Sequence, residues 1–213
     1  MTPRTIFTYV AVAIPPLALA IVGVTHPMHL TAATAEYWRN LHIAILPVFP
    51  LLGFAPWLLI RGYDAFVSWL VGILGFVYAA FYTALDVLAG IGAGGLKLDN
   101  MGMATGTLYG LGDNLGFIGS VAFIAASAIT GLALYRRWGF LTLPGSAVVV
   151  VGCFLFLKDH IYFPVGVVGQ LCIAVGWCAV LFAISRSTER PRPVPQVNES
   201  AATGSAQTKS RHS

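Results

Sequence analysis

The side chains of this chain that could do chemistry are few, and they fall in a pattern. The histidines are His26, His29, His42, His160 and His212. The first four sit at or beside the ends of apolar runs, where Asp86, Asp99, Asp113, Asp159, Glu36, Arg39, Lys97 and Lys158 also fall. Neutral imidazole and carboxylate are zinc's usual ligands alongside thiolate, and a catalytic zinc keeps one coordination position for water. On this reading His26 or His29, His42 and His160 are the metal ligands. Asp86 or Asp113 then orients a ligand or acts as general base. No HExxH spacing is present, so the pattern by itself names no reaction.

Two other chemistries can use the same residues. A pair of axial histidines on facing helices can hold haem, and His42 with His160 is the natural pair in a haem- or quinone-binding redox protein. The opposite ends of the apolar runs carry no histidine, which argues against a two-haem electron path. In a transporter or a non-catalytic membrane subunit, the polar groups would instead form an ion or proton entrance or a docking surface. A metal titration, a visible absorption spectrum and a liposome flux assay separate the three readings.

Spacing adds two helix faces. Tyr78, Tyr82 and Asp86 follow i, i+4, i+8 and share a face. A carboxylate inside a span is costly and commonly serves a ligand, an ion or a proton. Asp113, Ser120 and Ser127 recur every seven residues beside Gly116 and Gly131, which suits close helix packing. Gln170 falls at mid-depth of the last apolar run.

The elements that must position these residues follow from composition. The chain has 213 residues, 57% hydrophobic and 9% charged, with mean hydropathy +0.80. Soluble domains carry roughly 25% charged residues, so the polar surface needed in water is lacking. A bilayer core takes about 20 apolar residues per helix. Six runs meet that length: Thr5–Val24, Leu41–Ile60, Ala65 to about Gly90, Leu115 to about Tyr135, Phe140–Leu157 and Ile161–Ile184. They are continuous rather than alternating, which excludes a β-barrel. The expected fold is an all-α, polytopic, six-helix membrane bundle in the cell membrane, its partner the lipid bilayer, with a small or lipidic ligand at the outer face. The first run exceeds the ~7–15-residue core of a cleaved signal and reads as a retained anchor.

Basic residues orient the bundle. With the N-terminus inside, nine Lys and Arg lie inside and three, Arg39, Lys97 and Lys158, lie outside. That asymmetry predicts both termini in the cytoplasm. No Lys/Arg cluster is interleaved with aromatics, so nucleic acid is not a partner. Cys153, Cys172 and Cys178 lie within apolar runs and read as small buried hydrophobes rather than a disulfide framework.

Finer expectations follow. Pro15-Pro16 is expected to interrupt the first helix, and Pro47, Pro50 and Pro56 to punctuate the second. Pro27 reads as the start of a short interfacial helix running to about Asn40, with Tyr37 and Trp38 at the membrane surface. The glycine-rich stretch Gly90–Gly116 reads as an outer loop, either flexible or folded back over the mouth of the bundle. Asp113 would open the fourth helix, and Lys158-Asp159-His160 would form the whole connection between the fifth and sixth. Residues 1–185 form the membrane domain, and 186–213 a disordered cytoplasmic tail of low hydrophobicity. These placements bring His42, Asp86, Asp113 and His160 to one outer pocket, with His26 at its rim.

Overall fold

A computed structural model describes residues 2–188. Within them the chain is all helical: α1 (Pro3–Thr25), α2 (Ala35–Ile45), α3 (Val48–Ile60), α4 (Ala65–Leu85), a π-helical turn (Asp86–Gly92), α5 (Ala93–Leu98), α6 (Thr105–Trp138), α7 (Leu143–Asp159) and α8 (Val165–Thr188), with short 3-10 turns at Gly102–Ala104 and Phe140–Thr142. These make six helical stretches long and apolar enough to cross a membrane, at Pro3–Thr25, Ala35–Ile60, Ala65–Leu98, Gly102–Trp138, Phe140–Asp159 and Val165–Ser187. Large apolar side chains such as Phe66, Trp69, Ile21 and Val175 point outward. The architecture is that expected of a multi-pass membrane protein. The tail beyond Thr188, including His212, lies outside the described residues.

Several boundaries differ from the sequence reading. The interfacial helix from Pro27 does not form: residues 26–34 are turns and extended chain. Helix begins instead at Ala35, and the Leu46–Pro47 step separates α2 from α3 within one span. Trp38 is therefore buried rather than at the surface, and its indole N–H donates to the Ala89 carbonyl at 3.2 Å. α1 runs unbroken through Pro15 and Pro16, both buried. The glycine-rich stretch is helical except around Asp99–Met101, because its small residues serve close packing. A methyl group at Gly94 would stand 2.9 Å from Arg39 Cβ. As a result α6 starts at Thr105, and Asp113 lies two turns inside it. α7 extends through Asp159, so the link to α8 is residues 160–164, with Ile161 fully buried in it.

α7 packs against α8, α4 against α6, α1 against α8 and α3 against α4. The α7–α8 hairpin closes on paired glycines seven residues apart on each helix. A Cβ at Gly145 would stand 2.8 Å from the Gly176 carbonyl oxygen, and one at Gly152 would stand 2.7 Å from that of Gly169. Such backbone approach is how small residues hold membrane helices together. Gly152→Val is expected to destabilise the protein by about 1–3 kcal/mol or more, read as a lower thermal unfolding midpoint in detergent. Gly110→Ala, with nothing within 4 Å of the new methyl, should leave the midpoint in place. The interior is aromatic: Phe49, Tyr78, Tyr82, Phe123, Phe156 and Trp177 lie in one buried cluster. Its end toward His160 carries the site.

Candidate functional site

The chain leaves α1 at His26, whose backbone is extended rather than helical. That turn aims the imidazole back over the bundle, where it is 5% exposed. Its Nδ1 lies 2.8 Å from the Pro27 carbonyl oxygen. A carbonyl can only accept, so Nδ1 carries the proton and Nε2 is left with a lone pair. His42, near the end of α2, is held the same way, with Nδ1 donating to the Trp38 carbonyl at 2.7 Å. The two Nε2 atoms face each other at 3.4 Å, with no proton assigned to either.

Asp86 completes this group. It stands where α4 gives way to the π-helical turn, and it is fully buried. One carboxylate oxygen lies 4.0 Å from His42 Nε2. Neither oxygen has a hydrogen-bond donor. π-helical turns are rare and recur at functional sites. Here the turn also brings Gly90 under the His42 ring. A methyl at Gly90 would fall inside that ring, so only glycine lets α2 lie this close.

Three electron-pair groups thus converge without a donor between them. A buried acceptor lacking its partner costs roughly 1–3 kcal/mol, more when charged. A cation among them would remove that penalty.

His160 stands beside the group. Its backbone is left-handed, at φ 51°, which is uncommon for a residue with a side chain. The His160–Pro164 link is threaded between glycines: a methyl at Gly23 would collide with the Ile161 carbonyl, and one at Gly166 with that of His160. The ring stacks near Phe49, Tyr82 and Phe156, at centroid distances of 5.9, 5.6 and 6.0 Å. Its Nδ1 shares a hydrogen bond with the Tyr82 hydroxyl. Its centroid is 6.4 Å from that of His26, and the His42 centroid is 5.1 Å from that of His26. His26 is thus in ring contact with both, and it is buried rather than at an open rim. Tyr82→Phe would leave this imidazole nitrogen short of its partner. It is expected to lower stability by about 1–3 kcal/mol while keeping the fold, as seen by thermal unfolding.

Burial pushes the His26 pKa below the usual imidazole value, although the Pro27 hydrogen bond partly opposes this. The His160 pKa lies well below it, first through burial and then through the neighbouring His26 and His42. Both shifts favour the neutral ring, the form that binds metal.

Asp113 does not join Asp86. It is exposed on α6 and lines a neighbouring cavity of about 360 Å³ together with Tyr82, Ser120, Lys158, His160 and Tyr162. Of these, His160 and Tyr162 also contact His26, at centroid distances of 6.4 and 4.7 Å. His29 is exposed and lines a different cavity, of about 280 Å³, with Lys97 and Tyr109. Among the described residues, no three His, Cys, Asp or Glu side chains stand in place to enclose a metal ion. The two Nε2 atoms stand 3.4 Å apart, and the Asp86 carboxylate lies 4.0 Å from one of them. Gln170 is fully buried with its amide unpaired.

The sequence reading missed the Tyr82–His160 bond, the role of Trp38 and the π-helical turn. Gly90, one helical turn beyond Asp86, was the signal available for the last of these. No protein-family model, curated protein or solved structure matches this chain.

Proposed function

We propose that this is a multi-pass membrane enzyme, with both termini cytoplasmic, whose outer end holds a divalent metal ion through His26, His42 and Asp86. The observation that carries the reading is the pair of Nε2 lone pairs facing each other at 3.4 Å beside a buried carboxylate without a donor. Two zinc–nitrogen bonds of ~2.0–2.1 Å at a tetrahedral angle put their nitrogens about 3.4 Å apart. Each imidazole also donates its other nitrogen to a backbone carbonyl, the arrangement that orients metal-bound histidines. Zinc fits this donor set. It would supply a Lewis acid and an acidified water.

The chain's own residues divide the remaining work. Asp86 provides the negative charge beside His42. His160, held by Tyr82, is better placed as a proton-handling group facing the adjoining cavity than as a ligand. Asp113 and Lys158 stand at that cavity, where the polar part of a small or lipidic ligand would lie. Haem fits less well. The pair expected to hold it is His42 with His160, and the His42 Nε2 instead faces His26 Nε2 at 3.4 Å, which would leave a macrocycle no access to that nitrogen.

A second reading rests on the 4.0 Å approach of Asp86 to His42. The same groups could share a single proton, as a transporter or relay would require. Elemental analysis of protein purified without chelators separates the two. Stoichiometric zinc that a chelator removes and added zinc restores supports the metal. Protein that is free of metal and takes up none overturns it and leaves the proton. Topology has its own check: reporter fusions after Arg61, Lys97 and Arg136 are expected to report inside, outside and inside. Any other alternation sinks the orientation.

A further inference from the structure

The end of the bundle opposite the histidines carries a second feature, which owes nothing to the metal reading. Arg4 of α1, Arg61 after α3 and Arg137 of α6 line one pocket of about 250 Å³ between α1, α3, α6 and α8. Arg61 also closes the end of an apolar groove of about 590 Å³ between α3 and α4, walled by Phe54, Trp57, Trp69, Ile73 and Phe76. Gly72 keeps the floor of this groove flat: a methyl there would press on Trp57 at 3.2 Å.

Two of the three arginines lie over rings. The Arg61 guanidinium lies 5.8 Å from the centre of Trp57, and that of Arg137 lies 5.2 Å from Tyr63 and 5.3 Å from Trp138. Among the described residues, no carboxylate pairs with any of the three. Asp64, next in sequence to Tyr63, already accepts from the Val67 N–H at 2.8 Å as the cap of α4. Positive charge therefore converges at a concave place where, among the described residues, no carboxylate pairs with it.

We propose that the pocket and groove together bind one anionic phospholipid, its phosphate against Arg61, Arg137 and Arg4 and an acyl chain along Trp57 and Trp69. A guanidinium matches two oxygens of a phosphate at once, and basic pockets between membrane helices take lipid headgroups. Free phosphate offers the same charge but no tail. The groove that continues from Arg61 favours the lipid.

The test reconstitutes the full chain in phosphatidylcholine vesicles and adds phosphatidylglycerol with brominated acyl chains, which quench nearby tryptophans. Brominated phosphatidylcholine serves as the comparator. Phosphatidylglycerol is expected to quench preferentially. The preference should fall about five-fold for each arginine removed, in Arg61→Gln and in Arg137→Gln. It should hold in Arg186→Gln, since Arg186 lies outside the pocket. Millimolar inorganic phosphate should leave the quenching unchanged. Equal quenching by the two lipids overturns the proposal, as does an equal loss in Arg186→Gln, which would mean general surface charge. Displacement by inorganic phosphate also overturns it and assigns the pocket to a soluble anion. If Arg61→Gln does not reconstitute, Arg137→Gln carries the same comparison.

Discussion

His42→Ala is expected to strip the protein of bound zinc while leaving it folded and membrane-inserted. Partners outside the ligand shell are worth about 10–100-fold in metal affinity, and loss of a ligand should exceed that. His26→Ala should do the same, because the two Nε2 atoms face each other at 3.4 Å and neither alone forms a site. Asp86→Asn keeps the shape of the side chain but removes its charge, and it should weaken binding further than a change in packing could explain. His29→Ala should retain the metal, since that ring lines a separate cavity. Elemental analysis of each purified variant, with thermal unfolding to confirm folding, provides the readout. Full zinc retention in both His26→Ala and His42→Ala would end the metal reading.

Gly90→Ala should produce the second large effect from a residue that bears no functional group. The new methyl would fall inside the His42 ring, so either that ring turns away or α2 moves off the π-helical turn. Overpacking of this kind costs about 1–3 kcal/mol. The more telling readout is metal. Displacing His42 should lower zinc affinity as a ligand variant does, although every proposed ligand is still present. Gly95→Ala is the control, because nothing lies within 4 Å of the new methyl. Alanine there should be neutral or slightly stabilising, since glycine inside a helix costs roughly 0.5–1 kcal/mol relative to it. If Gly90→Ala binds zinc normally, the π-helical turn does not position the site.

What the sequence determined was the class of fold and the neighbourhood of the site. Runs of about 20 apolar residues can be read without knowing what they touch, and each of the six helical stretches overlaps one of those runs, though the fourth begins at Gly102 rather than Leu115. Charge placement is similarly local. His42, Asp86 and His160 could be assigned to one end because depth along a helix is a matter of counting residues at ~1.5 Å each.

Rotation and lateral approach are set by other elements, and these only the tertiary structure decided. Pro27 looked like a helix start, but the chain there is drawn into turns that fold His26 inward. The imidazole then packs between Trp38 and Tyr162, each at 4.7 Å. Gly90 and Gly94 looked like a loop because glycine weakens an isolated helix. Packed against α2 they stay helical, since the absence of a side chain is what admits His42 and Arg39. Asp113 and Asp86 share a depth on adjacent helices, yet the first is exposed and the second buried. The single residue inserted by the π-helical turn shifts the register of everything beyond Asp86, a change that no periodicity in the sequence announces. The pairing of Tyr82 with His160 joins residues 78 apart in the chain. It exists because Gly23 and Gly166 let the α7–α8 link sink between the helices, and it depends on three surfaces meeting, which no single segment encodes.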